Sequence, residues 1–152
     1  MKITLIALIA TVLGRSIRRP AFQMYSATGR HLTITDRVGS TRRANSPTST
    51  VKMVNVGDNK FLFQGVLSGL YLTKTGRSKK VRTTSNIEKA TKFSEELGKD
   101  YFNVYKLAET DCALSVRKSG SVRITCKKTH SKSTAFLPRK VHARHLHRGK
   151  NL

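Results

Sequence analysis

The chain has 152 residues, of which 30 are Lys or Arg and only 8 are Asp or Glu, giving a formal net charge of +22. That length is one domain's worth and excludes a large multidomain assembly within this chain. Self-repulsion on this scale is tolerable where the surface habitually meets anions, which points to a polyanionic partner.

The first element in chain order is the apolar run of residues 3–13, preceded by Lys2. Eleven residues are too few to cross a bilayer as a helix, and the pattern predicts a secretory signal peptide. Val12-Leu13-Gly14 offers small or aliphatic residues for cleavage after position 14. The expected organisation is then a signal peptide at 1–14, a flexible basic leader at 15–21, a folded domain at 22–140 and a flexible basic tail at 141–152. The product is expected to be extracellular, with no membrane anchor and, lacking an Asn-x-Ser/Thr sequon, no N-glycan.

From residue 22 onward the chain reads as short strands. Residues 22–25, 61–66 and 101–105 each open a unit. Each opening is followed by a similar segment: Gly29-Arg30-His31-Leu32-Thr33-Ile34, Gly69-Leu70-Tyr71-Leu72-Thr73-Lys74 and Asp111-Cys112-Ala113-Leu114-Ser115-Val116. The central leucines are 40 and 42 residues apart, the period of an architectural unit. Three residues before each leucine stands Gly29, Gly69 or Asp111, types that tolerate a left-handed turn. Turns at Val38-Gly39, Thr75-Gly76 and Ser119-Gly120 lead into further strands. Apolar patches at 51–54, Phe93 and Phe136-Leu137 close the units. Alternation such as His31-Leu32-Thr33-Ile34 marks half-buried strands. Residues 41–50, with Pro47, read as a loop, and only residues 86–97 have room for a turn or two of helix. Three units of four strands predict an all-β protein, a β-trefoil of twelve short strands: a closed six-strand barrel capped by three hairpins. Three blades are too few to close a propeller.

Charge is unevenly spread. All eight carboxylates lie between Asp36 and Asp111, and residues 112–152 carry none. Arg117, Lys118, Arg123, Lys127, Lys128, Lys132, Arg139 and Lys140 accumulate in that acid-free stretch. For an exported protein the matching polyanion is a sulfated polysaccharide or an anionic membrane surface, bound in a salt-dependent way. Cys112 and Cys126 come near cross-strand register when the chain folds back about Ser119-Gly120. In an oxidising compartment they can bridge, contributing about 3 kcal/mol in the chain-entropy model. A register shift of one residue puts them on opposite faces as two separate thiols.

The segment Met24-Tyr25-Ser26-Ala27-Thr28-Gly29-Arg30-His31-Leu32 resembles the opening strand pair of the fibroblast growth factors. Gly65-Val66-x-Ser68-Gly69-x-Tyr71-Leu72, Phe93-Ser94-Glu95-Glu96-Leu97, Tyr101-Phe102-Asn103-Val104-Tyr105 and Ala135-Phe136-Leu137-Pro138-Arg139 follow in that family's order with nearly its spacing. The resemblance covers about residues 22–140 and implies a β-trefoil ligand. Such a ligand binds a receptor tyrosine kinase ectodomain together with heparan sulfate. Carried over position by position, it implies receptor contacts at Tyr25, Arg42, Glu95, Phe102, Asn103 and Leu137. It implies heparin contacts at Thr28, Arg117, Lys118, Arg123, Lys127, Lys128 and Lys132. Tyr105 and Phe136 are expected in the core. The sequence departs from the family at Phe102, usually Tyr, and at Thr91, usually Cys. The first hairpin turn is shortened to Asp36-Arg37-Val38-Gly39, and Lys127-Lys128-Thr129-His130-Ser131-Lys132-Ser133 replaces a glycine-rich sulfate loop.

Other classes fit less well. Glu95-Glu96 is the one adjacent carboxylate pair, and neighbours on a strand point to opposite faces. There is no Gly-x-Ser-x-Gly elbow and no Walker-type phosphate loop, so no catalytic residue is assigned. His142, His145 and His147 lie in the tail without acids or cysteines, so no metal and no cofactor are expected. The alternative is a basic β-barrel that binds nucleic acid, which the leader opposes. Sugar-reading trefoil lectins repeat a Gln-x-Trp element, and this chain has no Trp. Interleukin-1-like trefoil cytokines are not usually this basic. The expectation is therefore a secreted growth factor, monomeric without glycan, with no nucleic-acid partner and no membrane insertion.

Overall fold

The computed structural model describes residues 21–77 and 79–141. Twelve strands are present among the described residues: β1 (Ala21–Ser26), β2 (Arg30–Ile34), β3 (Val38–Thr41), β4 (Thr50–Gly57), β5 (Lys60–Gly65), β6 (Tyr71–Lys74), β7 (Val81–Thr84), β8 (Phe93–Leu97), β9 (Asn103–Leu107), β10 (Ala113–Val116), β11 (Val122–Thr125) and β12 (Phe136–Lys140). Six of them close a ring of antiparallel pairs, β1–β4–β5–β8–β9–β12 and back to β1. The hairpins β2–β3, β6–β7 and β10–β11 stand outside that ring. This is a β-trefoil.

The threefold pattern extends to single residues. Met24, Phe63 and Tyr105 from the first strand of each unit are fully buried. So are Leu32, Leu72 and Leu114 from the second, and Val51, Phe93 and Phe136 from the fourth. Burying each such side chain contributes roughly 1.5–3 kcal/mol. Phe61, Phe63, Phe93, Tyr105 and Phe136 form a chain of tilted and edge-to-face rings with centroids 5.1–5.8 Å apart. Those geometries suit the aromatic quadrupole better than flat stacking.

The three hairpins hold one another in a cycle. Ser40 Oγ donates to the Gly120 carbonyl at 2.7 Å, and Thr83 Oγ1 donates to the Asp36 carbonyl at 3.0 Å. The Ile124 amide donates to the Lys79 carbonyl at 2.9 Å. Donor and acceptor occupy equivalent places in each unit, two residues beyond and two residues before Val38, Val81 or Val122. The first two clasps use a hydroxyl and the third uses the backbone, so the same geometry survives a change of side chain.

Several local details differ from the sequence reading. The first strand starts at Ala21, which is buried and pairs with Lys52, so the folded part begins one residue inside the expected leader. Val38-Gly39 lies in β3 rather than in a turn; the reversal occurs at 35–37, where the Thr35 amide bonds the Arg37 carbonyl. Gly29 and Gly69 do adopt positive φ, +87° and +71°, but Asp111 does not, and in the third unit Glu109 takes the left-handed place at +66°. Residues 101–102 precede β9, after a tight turn in which Asp100 and Tyr101 take left-handed φ of +56° and +66°. Residues 86–97 hold one 3-10 turn, Ile87–Lys89, capped by the Asn86 side chain, before β8 begins. Another 3-10 turn, Pro47–Ser49, interrupts the expected loop at 41–50. The β4–β5 reversal places Asp58 and Asn59 at φ +52° and +57°, the paired left-handed residues of a tight hairpin turn.

The predicted signal peptide, nearly all of the leader and the tail beyond Val141 lie outside the described residues. Among the described residues, no helix is long and apolar enough to cross a membrane.

Candidate receptor and glycan surfaces

Register decides which of the candidate residues meet. Tyr25 on β1 lies directly across from Leu137 on β12. Asn103 on β9 pairs with Phe136, so extending that register by one residue sets Phe102 across from Leu137. Phe136 is fully buried, and alternation therefore turns Leu137 and its partners Tyr25 and Phe102 to the other face. All three are half-buried. The result is an apolar stripe across β1, β12 and the residue that leads into β9.

Glu95 and Asn103 lie at the opposite parity. Glu95 pairs with Tyr105, whose hydroxyl donates to Glu95 Oε2 at 2.7 Å. Burial of the ring, and then the Glu95 hydrogen bond, raise the Tyr105 pKa far above the usual phenol range. The phenol therefore stays a donor and fixes the Glu95 carboxylate. Glu96 points away and pairs with Lys106 at 3.1 Å. Arg42 is exposed one residue past Thr41, which reaches Tyr25 through the pairs Thr41–His31 and His31–Tyr25.

Two residues that the sequence reading did not assign complete this face. The Arg139 guanidinium lies 4.4 Å over the Tyr25 ring, a cation–π contact. His31 packs tilted against the same tyrosine, ring centroids 5.2 Å apart, is 3% exposed, and has no hydrogen-bond partner at either ring nitrogen. Burial lowers its pKa below the ordinary imidazole value. The Arg139 charge acts in the same direction, while the Thr41 backbone, which approaches without good hydrogen-bond geometry, opposes it. The signal for both was available only in the register of β1 with β2 and β12, not in any local motif.

The second group of residues gathers around β10–β11. Thr28 Oγ1 donates to the Val116 carbonyl at 3.2 Å, which ties the β1–β2 turn to the tip of the third hairpin. Arg30, also unassigned from sequence, donates from Nε to the Lys118 carbonyl at 3.1 Å. Arg117 and Lys118 are exposed at the tip, and Arg123 is exposed between buried Val122 and Ile124. At the hairpin's base a disulfide joins Cys112 to Cys126, in line with the Ala113–Thr125 pair beside it.

The segment after Cys126 is held by its own hydrogen bonds. Thr125 Oγ1 donates to the Lys127 carbonyl at 2.7 Å, and Thr134 Oγ1 donates to the Thr129 carbonyl at 2.8 Å. Ser131 and Thr134 form a reciprocal capping box. Lys128 takes φ +53°, so the loop keeps a left-handed residue without glycine. The chain then returns to the β1–β2 turn, where the Ala27 amide bonds the Ala135 carbonyl at 2.9 Å. Lys127, Lys128 and Lys132 are exposed along this path. Neither ion pair found among the described residues, Lys60–Glu109 or Glu96–Lys106, involves these cations. The cations extend from tip to base of a hairpin whose four-residue strands span about 13 Å.

Among the described residues no three His, Cys, Asp or Glu side chains converge as metal ligands; His142, His145 and His147 lie outside them. A search of the curated proteins finds no match. The family model for fibroblast growth factor matches residues 21–137, which is the described barrel from its first strand to the middle of its last. On the trefoil, its register and that match, the chain belongs to the fibroblast growth factor family, a family of non-enzymatic growth factors.

Proposed function

We propose that the chain is a secreted growth factor that engages a receptor tyrosine kinase ectodomain of the fibroblast growth factor receptor type, with heparan sulfate as co-receptor. The observation that carries the reading is the presence of two chemically distinct groups of residues. One is the apolar stripe Tyr25–Leu137–Phe102 with Arg139 over the Tyr25 ring and Arg42 beyond it, while Glu95 and Asn103 lie at the opposite parity on the neighbouring strands. Aromatic and leucine anchors with a few oriented charges suit a protein interface. The other is the cationic third hairpin with the loop that follows it.

A sulfated chain held by several cations gains more than each surface pair alone, which is worth about 1 kcal/mol or less. A glycan that touches both ligand and receptor makes the second contact effectively intramolecular. Receptor pairing then allows the kinase domains to phosphorylate each other. Export follows from the apolar run at residues 3–13 and from the family's habit.

Heparin-affinity chromatography of the product recovered from culture medium, followed by a receptor-phosphorylation assay with and without added heparin, tests the whole reading. Retention to high salt and heparin-dependent phosphorylation are expected. Elution at low salt with no receptor response would overturn it.

A further inference from the structure

The charge of the third hairpin is repeated on the second. Residues 60–87 contain no carboxylate, and within them Arg77, Lys79 and Arg82 are exposed on or beside the β6–β7 hairpin. The cap brings this hairpin against the third one: Lys80 pairs with Arg123, and the Ile124 amide bonds the Lys79 carbonyl. Register partners point to the same face, so the exposed Arg123 side chain marks the outer face for Lys80 as well. Arg82, two residues further along β7, shares that face. Arg82 is also the pseudo-threefold mate of Arg123, each standing one residue after the valine that opens its strand.

We propose that the β6–β7 hairpin is a second sulfate-binding surface, continuous with the first through the Lys80–Arg123 contact, and that one sulfated glycan chain runs across both. This rests on the glycan reading of the third hairpin given above. The spacing suits a linear polyanion rather than a single small anion. Paired strands lie about 4.8 Å apart and residues on one face recur about every 7 Å, so Arg123, Lys80 and Arg82 follow one another across the cap at those intervals, with exposed Arg77 and Lys79 beside them. A single small anion would meet one or two of them and leave the rest unsatisfied. A chain of regularly placed sulfates meets them in turn, releasing counterions at each contact.

The test compares a heparin tetrasaccharide, short enough for one hairpin, with a heparin dodecasaccharide. Binding is measured by calorimetry at several salt concentrations. Three variants are used. One is Arg77→Glu, Lys79→Glu and Arg82→Glu together. The second is Lys118→Glu, Arg123→Glu and Lys127→Glu. The third reverses exposed Lys89, Lys92 and Lys99 and makes the same change in net charge elsewhere.

The second-hairpin variant is expected to keep tetrasaccharide affinity within about twofold. It should lose at least about tenfold for the dodecasaccharide, with a salt slope shallower by about two. The Lys89/Lys92/Lys99 control should lose less than about threefold. Equal dodecasaccharide losses in the second-hairpin variant and the control would overturn the proposal and leave only bulk charge. No loss of either sugar in the third-hairpin variant would instead overturn the earlier glycan reading. Thermal melts that match the unmodified protein's establish that each variant is folded. A glutamine series at Arg77, Lys79 and Arg82 must show the same ordering, without the added repulsion of reversed charge.

Discussion

Removing the Cys112–Cys126 bridge tests the register of the third hairpin. The bridge closes a loop over a sequence separation of 14. Constraining a loop of that size in the unfolded chain stabilises the folded state by about 3 kcal/mol in the chain-entropy model. Both cysteines sit at the open end of β10–β11, where Ala113 pairs with Thr125; Cys126 is exposed and Cys112 only partly buried against the edge of the core, so serine at either place costs little beyond the lost crosslink. For a domain of this size the loss corresponds to a fall in melting temperature of roughly 10 °C. Cys112→Ser, Cys126→Ser and the double variant should all melt at nearly the same temperature, because the first substitution already removes the whole crosslink. Reductant should lower the unmodified protein to that same temperature and leave all three variants unmoved. Additive losses in the two single variants, or a melt indifferent to reductant, would refute the bridged register.

Two further predictions concern buried residues. His31 is held neutral by burial, so the unfolded chain binds the proton more readily than the folded one. The stability due to neutral His31 is complete above about pH 6.5, the ordinary imidazole value, and declines as pH falls below it. Denaturation midpoints at pH 7.5 and pH 5 should therefore differ more for the unmodified protein than for His31→Phe, which keeps an aromatic ring against Tyr25; equal differences would contradict this. At Gly65, an added methyl group would land on the Ile34 carbonyl oxygen and within 2.6 Å of Ser68 Oγ. Backbone cannot yield as a flexible side chain does, so Gly65→Ala should cost about 3 kcal/mol or more in chemical denaturation, and a loss under about 1 kcal/mol would contradict the close approach.

Much of the architecture was legible because it repeats. Leu32, Leu72 and Leu114 stand at near-constant spacing, and their period alone implies three equivalent units. The local misreadings have physical causes. The first hairpin has only three residues between its strands, so Val38-Gly39, a turn signal by composition, is drawn into β3 to pair with Ile34 and Thr33. Asp111 was given a left-handed role by analogy with Gly29 and Gly69, but the third unit reverses over Thr110 and Leu107, and the strained place falls on Glu109.

The receptor and glycan candidates came from resemblance, and their grouping depends on pairings between residues far apart in the chain. Tyr25 and Leu137 are 112 positions apart yet directly opposed. That kind of register is set by the closure of the barrel and leaves no local mark, which is why Arg139, His31 and Arg30 went unassigned. The acid-free run at 60–87 was visible in the sequence, but its meaning depended on the contact between β7 and β11.

The measurement that bears most directly on the two-surface reading is made on Phe102→Ala with Leu137→Ala, assayed side by side for receptor-ectodomain affinity and for the salt at which it leaves a heparin column. Truncating two central anchors should weaken receptor binding by at least about thirtyfold, the scale of one interface hot spot. Heparin elution should stay where it was. Parallel loss of both activities would mean that Phe102 and Leu137 hold the barrel together rather than face a partner.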